Sequence, residues 1–133
     1  MQTFLPYPDP YKTAKVLDFK RLGKQRIEAM QIINTLEHDG GWKYHPAVLM
    51  WRGYVPALKI YFNIILREWI SRGYESNMIP YNIETAKTPP WISDERVHRS
   101  HRSRLIQKDP KYYGPLFPDT PNNLNYYWPV PRR

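Results

Sequence analysis

The sequence predicts an all-α fold, and three observations predict it. Apolar residues recur at helical spacing in separate stretches, proline and glycine fall where those stretches begin and end, and no segment alternates as a strand would. The first helix is expected from Pro10 to Leu36. Asp9 offers the N-cap and Pro10 the first helical position. Its apolar stripe is Phe19, Leu22, Ala29, Met30, Ile33 and Leu36. Gly23 permits a break or a close backbone approach, and Gly40-Gly41 stops the helix. A short helical turn follows Pro46, through Trp51. Pro56 opens the next helix, with Leu58, Tyr61, Phe62, Ile65, Leu66 and Trp69 on one face and Gly73 as its C-cap. Residues 74 to 92 contain Pro80, Pro89 and Pro90 and read as a long loop. Ser93 caps a last helix, with Asp94 and Glu95 at its positive end. That helix runs to about Lys108, where Asp109-Pro110 ends it. The tail from Pro115 carries five prolines in its last 19 residues and is expected to lie extended over the body. Trp51, Phe62 and Trp69 are expected in the core. No repeat appears, and residues 1–133 read as one compact domain.

Charge narrows the function. The 133 residues include 20 Lys and Arg against 12 Asp and Glu, a net charge of +8. Such an excess suits a polyanion, and nucleic acid is the commonest one. Aromatics make up 15% of the chain, and several adjoin basic residues, as in Lys111-Tyr112-Tyr113. Rings of this kind stack on unpaired bases while cations hold phosphates. The absence of cysteine excludes disulfides and thiolate metal sites. The first residues lack a basic segment followed by an apolar run, and no apolar stretch approaches the roughly 20 residues of a membrane span. A monomeric cytoplasmic protein is the expectation.

Two segments concentrate chemistry. The first is Lys20-Arg21-Leu22-Gly23-Lys24-Gln25-Arg26-Ile27-Glu28. On a helix, Lys20, Lys24 and Glu28 share one face, flanked by Arg21, Gln25 and Gln31. This reads either as a solvated charged face or as a carboxylate set inside a phosphate-binding surface. A carboxylate among cations keeps its charge and suits a developing positive charge. The second is His98-Arg99-Ser100-His101-Arg102-Ser103-Arg104, a doubled His-Arg-Ser. His98 and His101 stand one turn apart, but nothing fixes His38 or His45 beside them, so no metal site and no cofactor are expected. His101 shares a stripe with Val97 and Leu105 and reads equally as a half-buried histidine. Arginine forks and serine hydroxyls suit phosphate oxygens, which is the role expected for Arg99, Ser100, Arg102 and Ser103.

The order of these segments resembles the phage endonuclease V family, the pyrimidine-dimer DNA glycosylases, and their bacterial relatives. The features that carry it are a first helix with Leu17 and Leu22 leading to Glu28, then Tyr44-His45-Pro46, then a long amphipathic helix ending Ser71-Arg72-Gly73-Tyr74. A basic helix leading into Lys111-Tyr112-Tyr113-Gly114 completes the order, over roughly residues 10 to 117. The resemblance implies a metal-free helical enzyme that kinks double-stranded DNA, flips a damaged or modified base and cuts its glycosidic bond. The N-terminal α-amine attacks the sugar C1′, one glutamate supports the reaction, and the resulting imine permits strand nicking. That glutamate corresponds to Glu28. One departure is Gln2, whose bulk normally blocks removal of the initiator methionine, so Met1 is expected to carry the amine. Lys20 or Lys24 could supply one instead, Lys24 lying one turn from Glu28.

The candidate catalytic residues are therefore Glu28, Met1 and Lys24. The candidate DNA contacts are Lys20, Arg21, Arg26, His45, His98, Arg99, Ser100, His101, Arg102, Ser103, Lys108, Tyr112 and Tyr113. Two other readings fit the same residues: a nucleic-acid-binding module without chemistry, and a hydrolase of a free nucleoside-like glycoside.

Overall fold

A computed structural model describes residues 1–130, and the end of the proline-rich tail, 131–133, lies outside the described residues. The elements are α1 (Pro10–Val16), α2 (Phe19–His38), α3 (Pro46–Leu49), α4 (Val55–Ser71), a 3₁₀ turn (Pro90–Ser93), α5 (Glu95–Lys108) and α6 (Pro110–Tyr113). No strand occurs among the described residues, so the fold is all-α.

The expected first helix is two helices. Leu17 takes extended dihedrals, φ −67° and ψ 134°, and α2 begins beyond Asp18. A tertiary contact makes the break. The Asp18 N–H donates to the Tyr113 hydroxyl at 2.9 Å, and that hydroxyl donates back to the Asp18 carboxylate. The carboxylate also takes the Arg21 guanidinium at 3.2 Å, so Asp18 sits at the N-cap of α2 without accepting from a backbone N–H of its first turn. Phe19 consequently starts a helix instead of lining its buried face. It is exposed and stacks on Tyr74.

Gly23 serves the close approach and not the break. A Cβ there would lie 3.0 Å from the ring of Trp69, so α2 and α4 come together where one helix has no side chain. α2 ends at His38, with Asp39 in the left-handed region at φ 53°. α4 buries Leu58, Tyr61, Phe62, Ile65 and Leu66, and Gly73 follows it at φ 95°. Trp51 and Phe62 are core residues, whereas Trp69 is only half-buried, stacked on Tyr74 and under the guanidinium of Arg26. The last long helix is capped by Asp94, whose carboxylate accepts from the Arg96 N–H, while Ser93 closes the preceding 3₁₀ turn. Asp109-Pro110 ends α5 and at once starts α6, because proline at the first position needs no N–H.

The N-terminal residues 2–6 are a buried thread with no strand partner. Phe4 and Leu5 are in the core, and burying two such side chains is worth roughly 1.5–3 kcal/mol each. A buried thread must still satisfy its backbone polar groups. Side chains do this from α2, α4 and α5, and the candidate site grows out of that arrangement.

Candidate nucleic-acid site

Five successive residues of the thread are met by hydrogen-bonding groups. The Gln2 N–H donates to Glu28 Oε2 at 3.3 Å, and the Gln2 carbonyl accepts from Gln25 Nε2 at 3.0 Å. The hydroxyl of Thr3 accepts from Trp51 Nε1 at 2.9 Å. The Phe4 N–H donates to Gln25 Oε1 at 2.9 Å, and its carbonyl lies 2.7 Å from the Tyr61 hydroxyl. The Leu5 N–H donates to His101 Nδ1 at 2.9 Å, and the Leu5 carbonyl accepts from His98 Nδ1 at 2.8 Å. The Pro6 carbonyl accepts from Arg102 at 2.8 Å.

The doubled His-Arg-Ser motif, expected to meet phosphates, faces mostly inward. His98, Ser100, His101 and Ser103 are interior, at 3% exposure or less, and an interior side chain does not meet phosphates. The histidines hold the N-terminal thread. Serine Oγ atoms hold the chain's other end, Ser100 accepting from the Tyr127 N–H at 3.0 Å and Ser103 from the Leu124 N–H at 2.9 Å. Arg102 joins Pro6, Thr120 and Glu95. Of the motif's expected phosphate ligands only Arg99 is exposed.

Three further expected contacts are structural in position. Tyr113 is fully buried against Asp18, with burial first and that hydrogen bond second raising its hydroxyl far above the ordinary range. Arg26 covers Trp69 at 4.3 Å and donates to Ser76 at 2.9 Å. His45 caps α3 by accepting from the Ala47 N–H at 3.0 Å, its ring edge-on to Trp42 and Trp128. Burial, and then the charge of the Met1 amine, holds His45 below the usual histidine range. Tyr112 remains exposed.

Of the remaining candidates, Met1, Lys20, Arg21, Lys24, Glu28 and Lys108 converge, while Arg99 and Tyr112 do not line the same pocket. Lys20, Arg21, Lys24 and Glu28 of α2 line a pocket of about 490 Å³ together with Met1, Gln2 and Phe4, Lys108 and Arg104 of α5, and Tyr126. Five cations thus surround one carboxylate. Burial, and then repulsion from Arg21, Arg104 and Lys24, lowers the Lys108 amine, with Glu28 opposing. The guanidinium of Arg104 lies over the Tyr126 ring at 4.9 Å. Burial is also the main reason the Tyr126 hydroxyl is raised, against a lowering bond from Arg104. Chemically, the pocket offers a fixed negative charge for a cationic centre, amines from residue 1 and lysines, and cations for flanking anions.

Arg104 and Tyr126 are members that sequence reasoning missed, and Gln25, read there only as flanking the charged face, is a third that was not a candidate. Arg104 and Lys108 stand four apart on a basic helix, which was an available signal. One of two adjacent tyrosines in a proline-rich tail gives none. Among the described residues no cluster of three or more His, Asp and Glu could hold a metal ion, and no helix is long and apolar enough to cross a membrane.

No curated protein and no solved structure matches the chain. The family described as pyrimidine dimer DNA glycosylase matches residues 1–81. The match contains the thread and the α2 face of the pocket, while Arg104, Lys108 and Tyr126 follow it. Covering more than half of the 133 residues, it establishes that the chain belongs to the pyrimidine dimer DNA glycosylase family.

Proposed function

We propose that the chain excises a damaged or modified base from double-stranded DNA, with Glu28 as its carboxylate and the α-amine of Met1 as its nucleophile. The observation that carries this reading is the bond from the residue 2 N–H to Glu28 Oε2 in a pocket that Met1 also lines. Breaking the bond from C1′ to the base builds positive charge on the sugar, and a fixed carboxylate stabilises it. The bonding pair leaves with the base, which takes up a proton. The amine forms a new bond to C1′ and loses a proton, and ring opening gives the imine. Loss of a C2′ proton then expels the 3′ phosphate and nicks the strand. Lys20, Arg21, Lys24, Arg104 and Lys108 hold the flanking phosphates. Trp42, exposed beside His45, offers a face for an unpaired base.

The test is a panel of duplexes carrying dimers and oxidised, alkylated or otherwise modified bases, with released base and strand nicks scored separately. Borohydride during turnover should trap a DNA adduct that peptide mapping places on residue 1. Adduct on Lys20, Lys24 or Lys108 moves the nucleophile, and base release without adduct makes water the nucleophile. Glu28→Gln should lower base release by at least about 100-fold, the scale of losing one electrostatic stabiliser. DNA affinity should hold or rise as a negative charge is removed. A Glu28→Gln variant that releases base at the parent rate sinks the assignment.

A further inference from the structure

We propose that Gln25 is the positioning residue that sets the N-terminal thread against Glu28, and through it the spacing between the chain's amine and the carboxylate. The proposal rests on the glycosylase reading above and deepens it.

Gln25 is fully buried, one helical turn before Glu28 on α2. A carboxamide has two N–H donors and an oxygen with two lone pairs. Both N–H donors and one lone pair are engaged outright, and the second lone pair shares the single Tyr61 hydroxyl hydrogen with the Phe4 carbonyl. Oε1 accepts from the Phe4 N–H at 2.9 Å and meets the Tyr61 hydroxyl at 2.8 Å. Nε2 donates to the Gln2 carbonyl at 3.0 Å and to Glu28 Oε2 at 3.0 Å. The orientation of the amide follows from its partners. The flipped amide would face the Phe4 N–H with another donor, and the Gln2 carbonyl and Glu28 carboxylate with another acceptor.

The geometry is more than core satisfaction. Glu28 Oε2 receives two donors, the Gln2 N–H and Gln25 Nε2, and Gln25 Nε2 also holds the other side of residue 2. Residue 2, Gln25 and Glu28 therefore form a closed triangle whose three sides are hydrogen bonds. One nitrogen ties the carboxylate and the thread together, so neither moves without the other. Tyr61, buried on α4, anchors the far side of the amide. Reacting groups misplaced by about 1 Å can cost about 100-fold in rate, which is the margin such a triangle protects.

Two substitutions separate positioning from simple stability. Gln25→Met removes these bonds at similar size. Gln25→Glu keeps the acceptor for Phe4 but turns an oxygen toward Glu28 and the Gln2 carbonyl. Two carboxyls that close repel when both are charged, and one proton between them restores a donor. At saturating protein, single-turnover base release should fall about 100-fold in both variants near neutral pH. On acidification Gln25→Glu should recover toward the parent while Gln25→Met does not. Amide exchange gives a readout independent of activity. Gln25→Met should lose protection at Gln2 and Phe4 while Leu5, held by His101, keeps it.

Parent-like release by either variant overturns the proposal, as does an identical pH profile for the two. Unchanged protection at Gln2 and Phe4 overturns it as well. Protection lost at Leu5 too would make Gln25 a general core residue and also overturn it. If the parent itself releases no base from any duplex, the glycosylase reading fails, and the exchange pattern alone then decides whether Gln25 sets the thread against Glu28.

Discussion

A histidine nitrogen either donates or accepts, and α5 uses one histidine for each half of Leu5. His101 Nδ1 accepts from the Leu5 N–H, so this nitrogen is bare and Nε2 carries the hydrogen. Nε2 finds no hydrogen-bond partner among the described residues, and the ring makes edge-to-face contacts with Phe4 and Tyr126. His98 has a carbonyl oxygen at each nitrogen, Leu5 at 2.8 Å and Ile92 at 2.7 Å. Burial first, and then the charge of His98, lowers His101 to about 3. The folded state thus binds His101's proton more weakly than the unfolded chain, whose histidine titrates near 6.5. The resulting stability is present in full above pH about 6.5 and is lost as pH falls toward 3, at about 1.4 kcal/mol per pH unit inside that window. His101→Asn keeps a side-chain acceptor and removes the titration. It should lower stability at pH 7 through lost packing, yet flatten the decline between pH 6 and about 4. Urea midpoints across that range measure it, and an undiminished slope in the variant counts against this role.

At the scale of the element, α5 is a strap for both ends of the chain. Its histidines and Arg102 hold residues 5 and 6, and its serines hold residues 124 and 127. Arg102→Ala leaves the Pro6 carbonyl without its donor and frees Glu95 and Thr120. It should cost about 1–3 kcal/mol, read as a lower urea midpoint with an unchanged m-value. A variant as stable as the parent would show that the strap does not depend on this arginine. The same element shows why some of the site was legible and some was not. Helical spacing alone put Lys20, Lys24 and Glu28 on one face, and they do line one pocket. Spacing also put the histidines one turn apart, but a charged motif facing inward looks in sequence like one facing out. The deciding fact was a buried thread 96 residues away, Leu5 against His101, which no local pattern encodes. The break at Leu17 was hidden for the same reason, since Tyr113 makes it from 95 residues away.

Across the whole molecule, a net charge of +8 is not spread evenly in effect. Several arginines are spent inside the fold: Arg102 on the thread, Arg26 on Trp69 and Ser76, and Arg72 on Glu68 and the Ala14 carbonyl. Lys20 and Lys24 are exposed and line the Glu28 pocket, where a polyanion would meet them. Salt dependence distinguishes the two classes, because only a cation that neutralises a phosphate releases a counterion from DNA. Lys20→Ala and Lys24→Ala should each flatten the plot of log affinity against log salt by about 0.9. Arg102→Ala and Arg26→Ala should leave that slope alone, whatever they do to stability. Binding of each variant to one duplex, measured by titration between about 50 and 200 mM salt, makes the comparison. Equal slopes for Lys20→Ala, Lys24→Ala and the parent would move the DNA away from the Glu28 pocket. A flattened slope for Arg102→Ala would mean that the strap loosens when DNA binds, because a guanidinium engaged with Pro6, Thr120 and Glu95 is not also neutralising a phosphate.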